Sequence, residues 1–294
     1  MEKNGFKLVA LGIIKVAALL ILIQLIQNLV FIPLKALSSK FWSQYDGRGL
    51  NEPWFLTSTF AILLVTVFTC YVFIRFIDKK NWAYIRLVSK NRFKYFSAGV
   101  LVSFLLISFF TIVITSLNAV ELNIEIKSIS NIFIYLILLS IGLFSLILSE
   151  ELIFRGYVLK TFESHISILN AIILTSFLFS IFHILRPNTS FLGFVNIFLL
   201  GCFVAIICIY YDNLWLPIGL HFGWNFFLWF FNFPISGQKY PNPILILKYN
   251  EYSLLSGSKF GPEDSLMITP FIILFILFFL LKLKMVKTDE VLNF

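Results

Sequence analysis

Two adjacent glutamates, Glu150 and Glu151, stand inside an apolar stretch, with Leu146-Ile147-Leu148-Ser149 before them and Leu152-Ile153-Phe154-Arg155 after. A carboxylate at bilayer depth costs about 2.5–3.5 kcal/mol on insertion scales, so it persists only where something pairs with it or uses it. Two later apolar stretches each carry a histidine, His183 and His221, and Asn225 follows His221 by one helical turn. Carboxylate and imidazole groups are the side chains of acid–base chemistry and of metal ligation. In so apolar a chain these few polar residues are the place where chemistry is expected.

Their spacing assigns partners. Neighbours on a helix point about 100° apart, so Glu150 and Glu151 cannot do the same job. Arg155 lies four residues after Glu151, where helical side chains meet, and Glu151–Arg155 is the natural ion pair. That pairing leaves Glu150 to face elsewhere. The plainer reading is that both glutamates mark a cytoplasmic helix end, but Ile153 and Phe154 continue the apolar pattern. A polar cluster at 164–167 marks a turn, and Glu151 and His183 each lie about sixteen residues from its middle, ~24 Å along an antiparallel hairpin. They can therefore meet. A lone histidine in an apolar helix is more commonly structural, and this match in depth sets His183 apart. His221 and Asn225 share a helix face, although Asn225 alone reads equally as a hydrogen bond between helices. Gly219 and Gly223, also four apart, predict close packing against another helix. Gln24, Gln27 and Asn28 read as interhelical hydrogen-bonding groups.

The elements that must position these groups are membrane helices. The chain has 294 residues, 59% hydrophobic, with a mean hydropathy of +0.92 and only 13% charged, against ~25% charged in a soluble domain. A soluble fold of this size could not hide 36 phenylalanines. The expected class is all-α, a polytopic transmembrane helical bundle with about eight spans, near 8–33, 54–76, 95–117, 131–155, 168–186, 191–211, 213–232 and 266–286. Lys15 sits awkwardly in the first; either it snorkels or the span begins after it. The basic loop carrying Arg75, Lys79, Lys80, Arg86, Lys90, Arg92 and Lys94, and the tail with Lys282, Lys284 and Lys287, place both termini in the cytoplasm of a multi-pass cell-membrane protein. The segments 118–130 and 233–265 then fall on the opposite side, the second irregular, with the apolar run 244–247 expected on the membrane surface. The net charge of +8 belongs to headgroups and topology, and no nucleic-acid partner is expected. Cys70, Cys202 and Cys208 lack metal-ligand spacing and read as small core residues. Organisation is expected as N-terminal helices over 1–125, a catalytic core over 126–235, and an extracytoplasmic loop with a final helix over 236–294.

Glu150-Glu151-Leu152-Ile153-Phe154-Arg155, Phe179-Ser180-Ile181-Phe182-His183 and His221-Phe222-Gly223-Trp224-Asn225 resemble, in this order, the EExxxR, FxxxH and HxxxN motifs of the CPBP family of intramembrane proteases. This family, also called Abi, comprises CAAX proteases and bacteriocin-processing enzymes, and its eukaryotic members include the type II CAAX prenyl endopeptidase. The resemblance covers about residues 130–230. It implies hydrolysis of a peptide bond in the membrane, with Glu150 as the base that activates a water and His183 helping to hold that water. His221 and Asn225 would donate hydrogen bonds to the oxyanion. Glu151 and Arg155 would be the supporting pair, and Phe179 a structural residue of the second motif. No nucleophilic serine or cysteine is in evidence; Ser149 and Ser180 adjoin the motifs and are expected to bond backbone carbonyls.

The expected partners are the lipid bilayer and a membrane-associated peptide or protein substrate. No cofactor is expected, with one alternative: two histidines and a glutamate are also a zinc set, and a divalent metal such as zinc would fit that reading. Intramembrane His and Glu residues also mark proton-coupled transporters and non-catalytic binding proteins, such as those giving self-immunity to bacteriocins. A transporter more commonly shows paired halves or broken helices, and the sequence has neither.

Overall fold

The computed structural model describes residues 2–41, 52–88, 90–123, 129–240, 243–249, 254–257 and 259–292. In chain order the elements are α1 (Glu2–Phe41), α2 (Glu52–Val72), α3 (Arg92–Ser116), β1 (Val120–Asn123), α4 (Ile129–Glu151), α5 (Leu159–Glu163), α6 (Ile168–His183), α7 (Phe191–Tyr210), α8 (Trp215–Phe230), β2 (Ile246–Tyr249) and α9 (Ile268–Leu292). Stretches of π-helix continue α2 over Phe73–Ile77 and α4 over Leu152–Val158, and short 3-10 turns lie at Trp82–Ile85 and Pro262–Asp264. The fold is all-α, as the sequence predicts. Its helices divide into two compact units, Met1–Val88 with Ile126–Ile168, and Ser89–Glu125 with Leu169–Phe294.

Among the described residues, five helices are long and apolar enough to cross a membrane: Lys7–Ala36, Trp54–Ile77, Arg92–Ser116, Phe133–Glu163 and Phe191–Tyr210. Two of the expected spans are shorter as helices. The segments expected at 168–186 and 213–232 form α6 and α8, of 16 residues each. That is roughly 24 Å of rise against a hydrocarbon core of ~30 Å. The span expected to stop near 155 instead runs on through the π-helical stretch and α5 to Glu163. Nothing in 152–159 halts it, because the segment is apolar apart from Arg155, whose charge Glu151 neutralises.

Not all of the backbone is helical. β1 and β2 form an antiparallel ribbon, with Val120 opposite Tyr249 and Asn123 opposite Ile246. The run 244–247, expected on the membrane surface, gives Ile246 and Leu247 to this ribbon. Backbone groups outside helices still need partners, and the two segments expected on one side of the membrane satisfy each other.

In the first unit α2 packs along α4, and α1 along α2. Gly142 lets the Phe55 ring lie on α4, since a Cβ there would come within 2.3 Å of that ring. Lys15 lies within α1. Its Nζ pairs with Asp78, and the second oxygen of Asp78 accepts a 2.8 Å hydrogen bond from the Tyr157 hydroxyl. Below the π-helical stretch, buried Arg86 donates through Nη2 to both oxygens of Glu163, at 2.8 and 3.2 Å.

In the second unit α3 lies along α8 in close backbone contact. The small residues expected on α8 meet small residues on α3. A Cβ on Gly219 would sit 2.2 Å from the Phe96 carbonyl oxygen, one on Gly223 2.9 Å from Val100 Cα, and one on Gly99 2.5 Å from the Leu220 nitrogen. Ser103, one turn after Gly99, donates a 2.7 Å hydrogen bond to the Leu220 carbonyl. Overpacking a core costs ~1–3 kcal/mol where side chains can shift, and here the obstacle is backbone. Gly219→Leu is therefore expected to lose about 3 kcal/mol or more, seen as loss of the monodisperse peak in size-exclusion chromatography and a lower thermal midpoint. A variant that keeps the wild-type midpoint would show that α3 and α8 do not rely on this contact.

Candidate active site

Glu150 and Glu151 close α4, and the next seven residues are π-helical. A π-helical turn admits an extra residue and redirects the side chains beyond it, a feature common at functional sites. Glu151 is fully buried whereas Glu150 is half-buried, so the two face different surroundings. Arg155 lies within the π-helical stretch, buried, and its Nη1 donates to Glu151 Oε1 at 2.9 Å. This is the pair expected from the i, i+4 spacing. Residues 151–159 are all buried, which holds the charged pair among apolar groups. Tyr157 stacks edge-on against Phe73 at 5.6 Å, and Ile85 packs on Gly156. The stretch that carries Arg155 is thus fixed from two sides.

His183 ends α6 and is 8% exposed. Its Nδ1 meets the Phe179 carbonyl oxygen at 2.9 Å. A carbonyl only accepts, so Nδ1 carries the proton and Nε2 is the acceptor nitrogen of the neutral ring. An imidazole fixed in this tautomer can accept a hydrogen bond from water. The Phe179 ring lies 4.5 Å from the His183 ring and 6.1 Å, edge-on, from the His221 ring. Phe179 therefore has a definite place: it links the histidines of two motifs, on α6 and α8, around one aromatic ring. Asn225 lies one turn beyond His221 on α8, buried, while His221 is half-buried. The two serines beside the motifs are bound to backbone, Ser149 Oγ to Ser145 O and Ser180 Oγ to Phe177 O, both at 2.8 Å.

One acidic residue escaped the sequence reading. Glu263 lies in the 3-10 turn after the irregular segment, and only 5% of it is exposed. Its Oε2 accepts from Ser236 N at 2.6 Å and Ser236 Oγ at 2.9 Å. The turn is held against α7 by Asn196, whose Nδ2 donates to the carbonyls of Glu263 and Ser265, both at 3.0 Å. Burial raises the proton affinity of the Glu263 carboxyl above the usual carboxylate range, and the two Ser236 donors, His221 and Trp224 oppose that rise. Pro262-Glu263-Asp264 falls in the segment 233–265 that the sequence marks only as irregular. The signal that would have found it, Asn196 reaching across to its backbone, exists only in three dimensions. The three cysteines are buried and form no disulfide. Among the described residues, no group of three or more His, Cys, Asp or Glu side chains is arranged to hold a metal ion.

Residues 128–227 match the family of type II CAAX prenyl endopeptidases, described as Rce1-like. The matched region is about a third of the chain and contains all three polar motifs. No curated protein and no solved structure matches the chain.

Proposed function

We propose that the chain is an intramembrane endopeptidase that cleaves a membrane-associated protein or peptide precursor by glutamate-activated water. The observation that carries this reading is the family match over residues 128–227, which spans the motifs of Glu150, His183, His221 and Asn225 in order. Glu150 takes a proton from water as that water attacks the scissile carbonyl. His183 accepts a hydrogen bond from the same water through Nε2, the nitrogen left as acceptor by its bond to Phe179. The tetrahedral intermediate carries a negative oxygen, which His221 and Asn225 stabilise by donation; losing one such donor costs ~100–1,000-fold in rate. The proton held on Glu150 then passes to the leaving amine. Glu151 and Arg155 set the geometry of the helix that presents Glu150.

The Phe179 contact supports this division of labour, since it keeps the water-holding and oxyanion-binding histidines at one aromatic ring. The test is comparative peptidomics of membranes from cells carrying the wild type or Glu150→Ala, matched for accumulated protein. A cleavage product present only with the wild type is expected, and its cleavage by purified enzyme is expected to survive treatment with a strong chelator. Identical peptidomes with an intact biological effect would refute the protease reading. Loss of cleavage on chelation, restored by zinc, would replace the water-activating glutamate with a metal centre.

A further inference from the structure

Tyr157 lies in the π-helical stretch that follows the two glutamates, and one turn of α2 holds both its ring and its hydroxyl. The residue is fully buried, and its ring meets the Phe73 ring edge-on at 5.6 Å. Its hydroxyl donates to Asp78 Oδ2 at 2.8 Å. Phe73 and Asp78 open and close the π-helical turn that continues α2, where the Asp78 N–H donates to the Phe73 carbonyl at 2.9 Å. Residues five apart on an α-helix point ~140° away from one another. A π turn, bonded between residues five apart, brings them closer to one face. The two groups that grip Tyr157 therefore depend on that turn. The other oxygen of Asp78 pairs with Lys15 of α1, so this carboxylate, with its side chain 8% exposed, joins three helical segments. All of these groups belong to one compact unit, the one that carries Glu150 and Glu151.

We infer that Asp78 is a positioning residue for Glu150: by holding the Tyr157 hydroxyl it locks the π-helical register that sets the direction of the helix end bearing Glu150. A helix end is aimed by the anchors on either side of it. Before the glutamates, α4 is seated on α2, with the Phe55 ring against Gly142. After them, Tyr157 is seated on Phe73 and Asp78. A π turn admits one residue more than an α turn. Relaxing it to α-helix shifts the register between the two anchors by one residue, a rotation of ~100°. That rotation breaks the bond from Tyr157 to Asp78, and a hydrogen bond to an ionised carboxylate is about twice as strong as one between neutral groups. The Glu151–Arg155 pair lies between the two anchors, turns with the stretch, and gives it no outside reference. The outside reference comes from Asp78, a part of the chain beyond the family match at 128–227.

The inference rests on the base role proposed for Glu150, so its test has one readout that needs no activity. Tyr157→Phe removes the bond to Asp78 and keeps the ring against Phe73. Lys15→Met releases the other oxygen of the same carboxylate and leaves the π-helical stretch untouched. The double variant Asp78→Leu/Lys15→Met removes the acceptor without stranding a lysine. Amide hydrogen exchange of the purified full-length protein in detergent is read by mass spectrometry. Over 152–158 it is expected to run about tenfold faster in Tyr157→Phe and in the double variant, with the rest of α4 as in the wild type. With a substrate whose cleavage depends on Glu150, both are expected to lower kcat per folded molecule about tenfold, with KM within about twofold, because a misaimed base slows the chemical step. Lys15→Met alone is expected to lower the thermal midpoint while kcat and the exchange of 152–158 stay near wild-type values. Unchanged exchange over 152–158 in Tyr157→Phe, or faster exchange spread evenly through α2 and α4, would overturn the inference. So would full kcat in a variant whose π-helical stretch exchanges faster, or a loss of kcat in Lys15→Met equal to that in Tyr157→Phe. If Tyr157→Phe does not accumulate, the double variant gives the same readouts. If the wild type shows no hydrolysis that depends on Glu150, it is the protease reading that fails, and the exchange of 152–158 still decides whether Asp78 locks the stretch.

Discussion

Glu150→Gln is expected to lower peptide hydrolysis by about 100- to 10,000-fold, the range that general-base catalysis contributes, while the protein accumulates and unfolds as the wild type does. The amide matches the carboxylate in size and accepts hydrogen bonds, but it does not take up a proton at neutral pH. Stability should hold because Glu150 is half-buried, whereas the fully buried carboxylate is that of Glu151. The adjacent residue supplies the control. Glu151→Gln makes the same chemical change one position along, yet it uncouples a fully buried ion pair. It should therefore lower the thermal midpoint first and activity only in proportion to the folded fraction. Activity measured per folded molecule separates the two. Hydrolysis by Glu150→Gln above a tenth of wild type would remove Glu150 from the role of base.

The polar site was legible in sequence to the extent that helical geometry is local. Glu151 and Arg155 are four residues apart on one helix, and their contact follows from the spacing with no knowledge of the fold. The paired small residues Gly219 and Gly223 gave the packing face of α8, although not its partner; that Gly99 and Ser103 of α3 meet them is a long-range fact. The π-helical stretch after Glu151 was not read from the sequence, which there continues the apolar helical pattern; its contacts with Phe73 and Ile85 come from distant positions. Lys15 shows the same limit: it reads as an isolated charge until Asp78, at the far end of another helix, is placed beside it. Glu263 was hidden for a related reason. It falls in a segment that the sequence marks only as irregular, and its partners Asn196 and Ser236 lie 67 and 27 residues away.

Glu151→Ala and Arg155→Ala should each destabilise the protein by about 3–5 kcal/mol, because each leaves a buried charge without its partner. The contact is short, 2.9 Å, with side-chain exposures of 0% for Glu151 and 2% for Arg155, so water offers little relief to the survivor. The double variant removes both charges at once and leaves an apolar cavity in place of an orphaned ion. It is expected to be more stable than the sum of the single losses implies, by a coupling of up to about 3 kcal/mol. The measurement is a double-mutant cycle on purified protein in one detergent, read by thermal or chemical unfolding. The cycle has a second use. Arg155 touches Glu151 from within the π-helical stretch, so the pair ties the end of α4 to the turn that follows it. If that tie is what presents Glu150, then the double variant should recover folded protein without recovering hydrolysis, because an uncharged, repacked turn no longer fixes the direction of the helix end. Additive destabilisation would show that the two charges act independently. Full activity in the folded double variant would show that the pair serves folding alone, and that Glu150 is aimed by the apolar packing of α4.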